Sequence, residues 1–285
     1  MARGLLEGRT CLVTGASAGI GEQTALGLAQ HGARVVLVCR NAERGERARA
    51  RIARKSGNGD VKLMLADLAS VAEIRRLAGD FLAVQPELHV LVNNAGVVNL
   101  RRSSTVDGLE TTFAVNHLAY FLLTHLLRER LVASAPSRIV NVASDAHKWG
   151  RLDFSDLQSE ANYGGMRVYG TSKLANILFT YELARRLEGT AVTANCVHPG
   201  PVASQLGKNN GAFARVATAL LKPFFLSPAD GAATSIYAAS APELDGVSGK
   251  YFAKQREKRS SQASRDPALA SRLWEASAAL VGVDA

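Results

Sequence analysis

Short apolar runs alternate with helix-like segments along almost the whole chain, and this alternation restricts the fold more than any other feature of the sequence. Residues 10–13, 34–38, 61–65, 90–92, 138–142, 191–197 and 249–252 read as strands. Residues 19–31, 42–52, 70–84, 109–131 and 168–187 read as helices. The strand-like runs are rich in Val and Leu and lack polar alternation, the pattern of strands covered on both faces. Strands that alternate with helices pair in parallel through right-handed crossovers. The expectation is an α/β fold: a Rossmann-type doubly wound parallel sheet of about seven strands with helices on both faces. No repeat or compositional break interrupts the 285 residues, of which 47% are hydrophobic, so one domain over 1–285 is expected.

A glycine-rich turn follows the first strand directly: Thr14-Gly15-Ala16-Ser17-Ala18-Gly19-Ile20-Gly21. Glycines there let the backbone approach a pyrophosphate, and the helix that starts at the turn aims its free N–H groups at the anion. The spacing G-x-x-x-G-x-G is a variant of the dinucleotide fingerprint. The end of the second strand bears on which dinucleotide. An acid there would bond a ribose 2′-hydroxyl, whereas an arginine accommodates a 2′-phosphate. The sequence reads Val38-Cys39-Arg40-Asn41, with no acid before Glu43. Arg40 therefore points to NADP, with Arg44 as a helper. Asp67, after the third strand, is read in two ways: an acceptor for the adenine amino group or a helix N-cap.

Tyr169 and Lys173 stand four apart, on one face of a helix. A fixed ammonium favours phenolate over phenol, so the pair is expected to bring the tyrosine toward a useful acid–base range. Asn93-Asn94-Ala95-Gly96 closes the fourth strand and Ser144 follows the fifth, both at the edge where open α/β sheets bind ligands.

Together Thr14–Gly21, Asp67, Asn93–Gly96, Asn116, Ser144, Tyr169-x-x-x-Lys173 and Pro199-Gly200 resemble the short-chain dehydrogenase/reductase family, in its order and spacing. The stretches Asn116-His117-Leu118, 144–157 and 172–187 are similar to the retinol dehydrogenase-like branch. The resemblance implies Asn116, Ser144, Tyr169 and Lys173 as the catalytic set. Tyr169 would be the acid/base. Lys173 would tune it and hold the nicotinamide ribose. Ser144 would bond the substrate oxygen. Asn116 would hold a water that links Lys173 to solvent. It also implies cofactor contacts from Gly15, Ser17, Ala18, Gly19, Ile20, Gly21, Arg40, Asp67, Leu68, Asn93, Ala95, Gly96, Tyr169, Lys173, Pro199, Gly200, Val202 and Ser204. The expected activity is NADPH-linked interconversion of an alcohol and a carbonyl, on a lipophilic substrate. The competing class is a non-catalytic, nucleotide-sensing relative, which should have lost part of the Ser–Tyr–Lys set. A homodimer or homotetramer is expected from the resemblance alone.

Residues 204–228 carry Phe213, Val216, Ala217, Leu220, Leu221, Phe224 and Phe225 at helical spacing. A lid over an apolar substrate is the favoured reading; a membrane-surface or dimer contact and a core helix are the others. The net charge of +9 includes a basic stretch from residue 254. No nucleic-acid-binding signature accompanies the charge, so nucleic acid is not expected. The histidines lack metal-ligand spacing. The three cysteines form no C-x-x-C pair, and no apolar run reaches membrane-spanning length. A cytoplasmic protein without a metal is the expectation. Trp149, close to Ser144, either lines the substrate site or simply packs.

Overall fold

The computed structural model describes residues 4–202 and 226–285. Its sheet has eight strands: β1 (Thr10–Thr14), β2 (Arg34–Cys39), β3 (Val61–Leu65), β4 (Val90–Asn93), β5 (Ser137–Val142), β6 (Val192–His198), β7 (Tyr251–Ala253) and β8 (Arg256–Glu257). The order is β3-β2-β1-β4-β5-β6-β7-β8, parallel through β7. Only β8 runs antiparallel, against β7. The expected count of about seven is thus one short. The eighth strand is two exposed charged residues after a turn through Lys254 and Gln255, both at positive φ, and so shows no apolar run.

The helices are α1 (Gly19–Gln30), α2 (Ala42–Ser56), α3 (Val71–Val84), α4 (Thr111–Phe113), α5 (Ala119–Ala133), α6 (Gly165–Arg186), α7 (Pro228–Ser240) and α8 (Pro267–Val281). Successive strand residues face opposite sides of the sheet. Cys11, Val13, Val35 and Leu37 pack under α1, α2 and α7 with Leu28, Ile52 and Ala238. Leu12, Val36, Leu91 and Ile139 pack under α3, α5, α6 and α8 with Phe81, Phe121, Leu178 and Trp274. Both faces are covered, which is why the strands read as continuous apolar runs.

The expected helix over 109–131 is interrupted: a π-helical turn, Ala114–Leu118, joins α4 to α5 and contains Asn116. Such turns occur often at functional sites. The buried carboxylate of Glu110 starts this composite helix by accepting the N–H groups of Thr112 and Phe113. Among the described residues no helix is long and apolar enough to cross a membrane.

β1 pairs with β2 on one side and β4 on the other, so the chain's crossovers diverge there and leave a crevice beyond the carboxyl ends of the strands.

Candidate active site

A cleft of about 290 Å³ occupies that crevice. Its walls come from Gly15 and Ser17–Gly21 at one end, Arg40, Asp67 and Leu68 at a second, and Ala95, Gly96, Tyr169, Lys173 and Pro199 at a third. The glycine turn has the stereochemistry a phosphate site requires. A Cβ on Gly21 would lie 2.4 Å from the Gly15 carbonyl oxygen, so the turn closes only around glycine. Gly19 adopts φ +63° with open space where its side chain would be. The N-cap of α1, Ala18, offers no side-chain acceptor, whereas Asn41 caps α2 and Ser70 caps α3. The first N–H groups of α1 thus lack a side-chain cap, as an anion site requires.

At the end of β2, Arg40 lies 71% exposed, with Nη1 3.9 Å from Asp67 Oδ2. Glu43 is held by Arg47 at 2.7 Å, and Asn41 caps α2, so neither supplies a ribose acceptor at Arg40. Asp67 is not the cap of α3, a task done by Ser70. Its Oδ1 accepts the Ala69 N–H at 3.0 Å and its other oxygen borders the cleft with Arg40.

The chemical end is built from β4, the π turn, β5 and α6. Lys173 is buried and donates from Nζ to the Val142 carbonyl at 3.0 Å. Nζ lies 5.7 Å from the Tyr169 ring centroid and 5.7 Å from that of Tyr120. Tyr120 in turn donates to the Ala95 carbonyl at 2.8 Å. A Cβ on Gly96 would stand 3.4 Å from Asn116 Oδ1 and 3.7 Å from Lys173 Nζ, so the segments converge there. Ser144 lies two residues past β5 in extended conformation, and its Oγ accepts the Ala146 N–H. Asn116 is fully buried; Oδ1 accepts from Val97 N at 2.8 Å while Nδ2 donates to Val97 O and Ser172 Oγ. Its side chain therefore ties the π turn to the loop after β4 and to the helix of Tyr169.

The electrostatic expectation for Tyr169 needs correction. Burial raises its pKa above the ordinary phenol value, opposed only by the nearby Ser144 hydroxyl. Tyr169 as a residue is half-buried and lines the cleft. Burial also pushes Lys173 down from 10.5 to about 8. For both groups burial, which penalises the charged form, is the leading cause of the shift.

Three further assignments part from the cleft. The Asn93 side chain is fully buried and donates to Thr124 Oγ1 at 3.0 Å and Asn141 Oδ1 at 2.8 Å, inside the core. Its neighbour Asn94 lines the cleft instead and ties β4 to β1 through Nδ2 and Thr14 O. The period of two explains the exchange: consecutive residues at a strand end face opposite ways. Gly200 and Val202 lie just past the Pro199 wall. Gly200 takes φ +86° against Leu226, and Val202 packs near Gly231 and Ile20. Ser204, and all of the 204–228 segment before Leu226, lie outside the described residues. Trp149 does not pack in the core; it is 67% exposed. Sequence reasoning missed Asn94 and Tyr120, although Tyr120 stands one helical turn after Asn116.

A sequence profile of the short chain dehydrogenase family matches residues 9–214. The chain belongs to the short-chain dehydrogenase family. It is 46% identical over 278 residues to mouse retinol dehydrogenase 12, covering 98% of this chain and 88% of that one. Human retinol dehydrogenase 11 is 47% identical over 278 residues, with 98% and 87% covered. The solved structure of the Pseudomonas aeruginosa RhlG/NADP active-site complex superposes with a TM-score of 0.70 at 29% identity, covering 95% of this chain and 100% of that one. The enzyme is thus an oxidoreductase of the retinol dehydrogenase-like branch, acting between CH–OH and C=O with a nicotinamide cofactor.

Proposed function

We propose that the enzyme is an NADPH-linked reductase of lipophilic aldehydes or ketones, of the retinoid kind that its curated relatives' names indicate. The observation that carries this reading is the gathering of Tyr169 and Lys173 at one end of the cleft, with the Ser144 hydroxyl beside the Tyr169 phenol, while the other end presents Arg40, flanked by Asp67 at 3.9 Å, and no acid at the end of β2. NADPH, when bound, supplies the hydride that the carbonyl carbon receives. The chain supplies the rest. The open N–H groups of α1 take the pyrophosphate, and Arg40 takes the 2′-phosphate. Ser144 Oγ bonds the substrate oxygen and stabilises the negative charge that grows on it. Tyr169 gives that oxygen its proton, and its raised pKa suits this direction because the phenol stays protonated and ready to donate. Lys173 then stabilises the phenolate left behind and holds the ribose hydroxyls.

The test is an NADPH-oxidation screen over aldehydes and ketones of graded size and polarity. Turnover that rises with apolar length, and that Tyr169→Phe reduces by at least about 1,000-fold while NADPH still binds, is expected. Tight NADPH binding with no turnover of any carbonyl would overturn the reductase reading.

A further inference from the structure

His147 lies three residues after Ser144, is buried, and is absent from the chemistry above. Its two ring nitrogens have unlike partners. Nδ1 lies 2.8 Å from the Ser144 carbonyl oxygen, which can only accept. Nε2 receives the backbone N–H of Ser261 at 3.1 Å, which can only donate. The two bonds together select one form of the ring, neutral with the proton on Nδ1. A second N–H, on Nε2, would face the Ser261 N–H donor to donor.

Ser261 belongs to a segment anchored elsewhere. Its neighbour Ser260 bonds Tyr181 of α6 at 2.8 Å, about three helical turns beyond Tyr169. Ser264 closes the segment through its Oγ to Ser261 O at 2.7 Å. Tyr251 of β7 stacks edge-on to the His147 ring at 5.3 Å and donates to Asp145 at 3.1 Å. On the other side of the Ser144–Asp145 peptide, His198 Nδ1 accepts the Asp145 N–H at 3.3 Å. A path of hydrogen bonds thus runs from α6, through the segment after β8, to the main chain of Ser144.

We propose that His147 is a positioning residue: it transmits the location of the Ser260–Ser264 segment to Ser144, and so sets where the serine hydroxyl stands relative to Tyr169. This rests on the proposed role of Ser144 toward the substrate oxygen. Misplacing such a group by about 1 Å can cost on the order of 100-fold in rate. The segment after β8 then belongs to the active site, although it lines none of the cleft.

Three variants of the full chain separate the two bonds. His147→Asn places an amide donor near Nδ1 and can hold Ser144 without Ser261. His147→Gln places its amide near Nε2 and can meet Ser261 without Ser144. His147→Phe fills the space with neither. With NADPH and decanal, His147→Gln and His147→Phe are expected to lower kcat by about 10- to 100-fold. NADPH Kd should stay within about twofold in both, and His147→Asn should recover most of the loss. Equal losses of kcat in all three that follow their melting temperatures would overturn the proposal and leave a purely structural histidine, as would unchanged kcat in all three. Nitrogen-15 NMR of the imidazole gives a readout free of turnover: the Nδ1–H tautomer is expected, and the Nε2–H tautomer refutes the assignment. Lack of decanal turnover in the unmodified protein would count against the proposed reaction, while the tautomer would still decide the His147 geometry.

Discussion

Replacing Lys173 with methionine should remove activity and stabilise the fold. Burial moves the Lys173 pKa from 10.5 to about 8. At about 1.4 kcal/mol per pH unit, the protonated side chain costs the folded state on the order of 3 kcal/mol at neutral pH. Methionine fills similar space without a charge, but loses the bond from Nζ to the Val142 carbonyl. That carbonyl keeps the Asn176 amide at 3.3 Å, so the loss is about 1 kcal/mol. The net expectation for Lys173→Met in cofactor-free protein is about 2 kcal/mol of added stability, on the order of 5 °C in melting temperature. The pH dependence gives the sharper check. Below about pH 8 the lysine is charged in both states and its cost is full. Between about 8 and 10.5 the unfolded chain holds a proton that the folded chain has released, so the stability of the unmodified protein rises with pH. The advantage of Lys173→Met should therefore shrink across that window and turn into a small deficit at its upper end, where only the lost bond to Val142 remains. Denaturant unfolding at pH 7, 8, 9 and 10 measures it. A variant less stable at pH 7, or an advantage that stays constant with pH, would refute the reasoning.

Arg40→Glu should shift the ratio of NADPH to NADH affinity by about 30-fold toward NADH: exposure screens the lost attraction and the new repulsion to about 1 kcal/mol each. Titration of both cofactors at low and high salt measures this, and a shift under threefold would remove Arg40 from the 2′-phosphate. Asn93→Ala should destabilise the fold by about 1–3 kcal/mol, because Asn141 and Thr124 lose a buried partner, with NADPH Kd unchanged. Weakened NADPH binding at unchanged stability would return Asn93 to the cofactor. Gly21→Ala should weaken NADPH binding at least about 10-fold, since its Cβ would collide with the Gly15 carbonyl oxygen; binding within twofold of the unmodified protein would show that the turn can yield.

The sheet and most of the cleft were legible because their causes are local. A Val- and Leu-rich run with a glycine turn and a helix behind it specifies a strand and an anion site within some twenty residues, and Tyr169 and Lys173 share a helix face by spacing alone. The π turn at Asn116, the exchange of Asn93 for Asn94 and the two-residue β8 were not legible. Each depends on which neighbour a side chain or strand meets, and apolar periodicity does not encode that.

The sequence by itself determined the order of the elements, the edge of the sheet where ligands bind and the chemical types gathered there. Only the tertiary structure decided the state of those groups. Burial, set by α5, α6 and the strands around them, raises Tyr169 and lowers Lys173, reversing the expectation drawn from a bare Tyr–Lys pair. Desolvation depends on everything packed around a charge, and residues as distant in the chain as Ser144 and Ser261 meet at His147 only once the sheet is assembled.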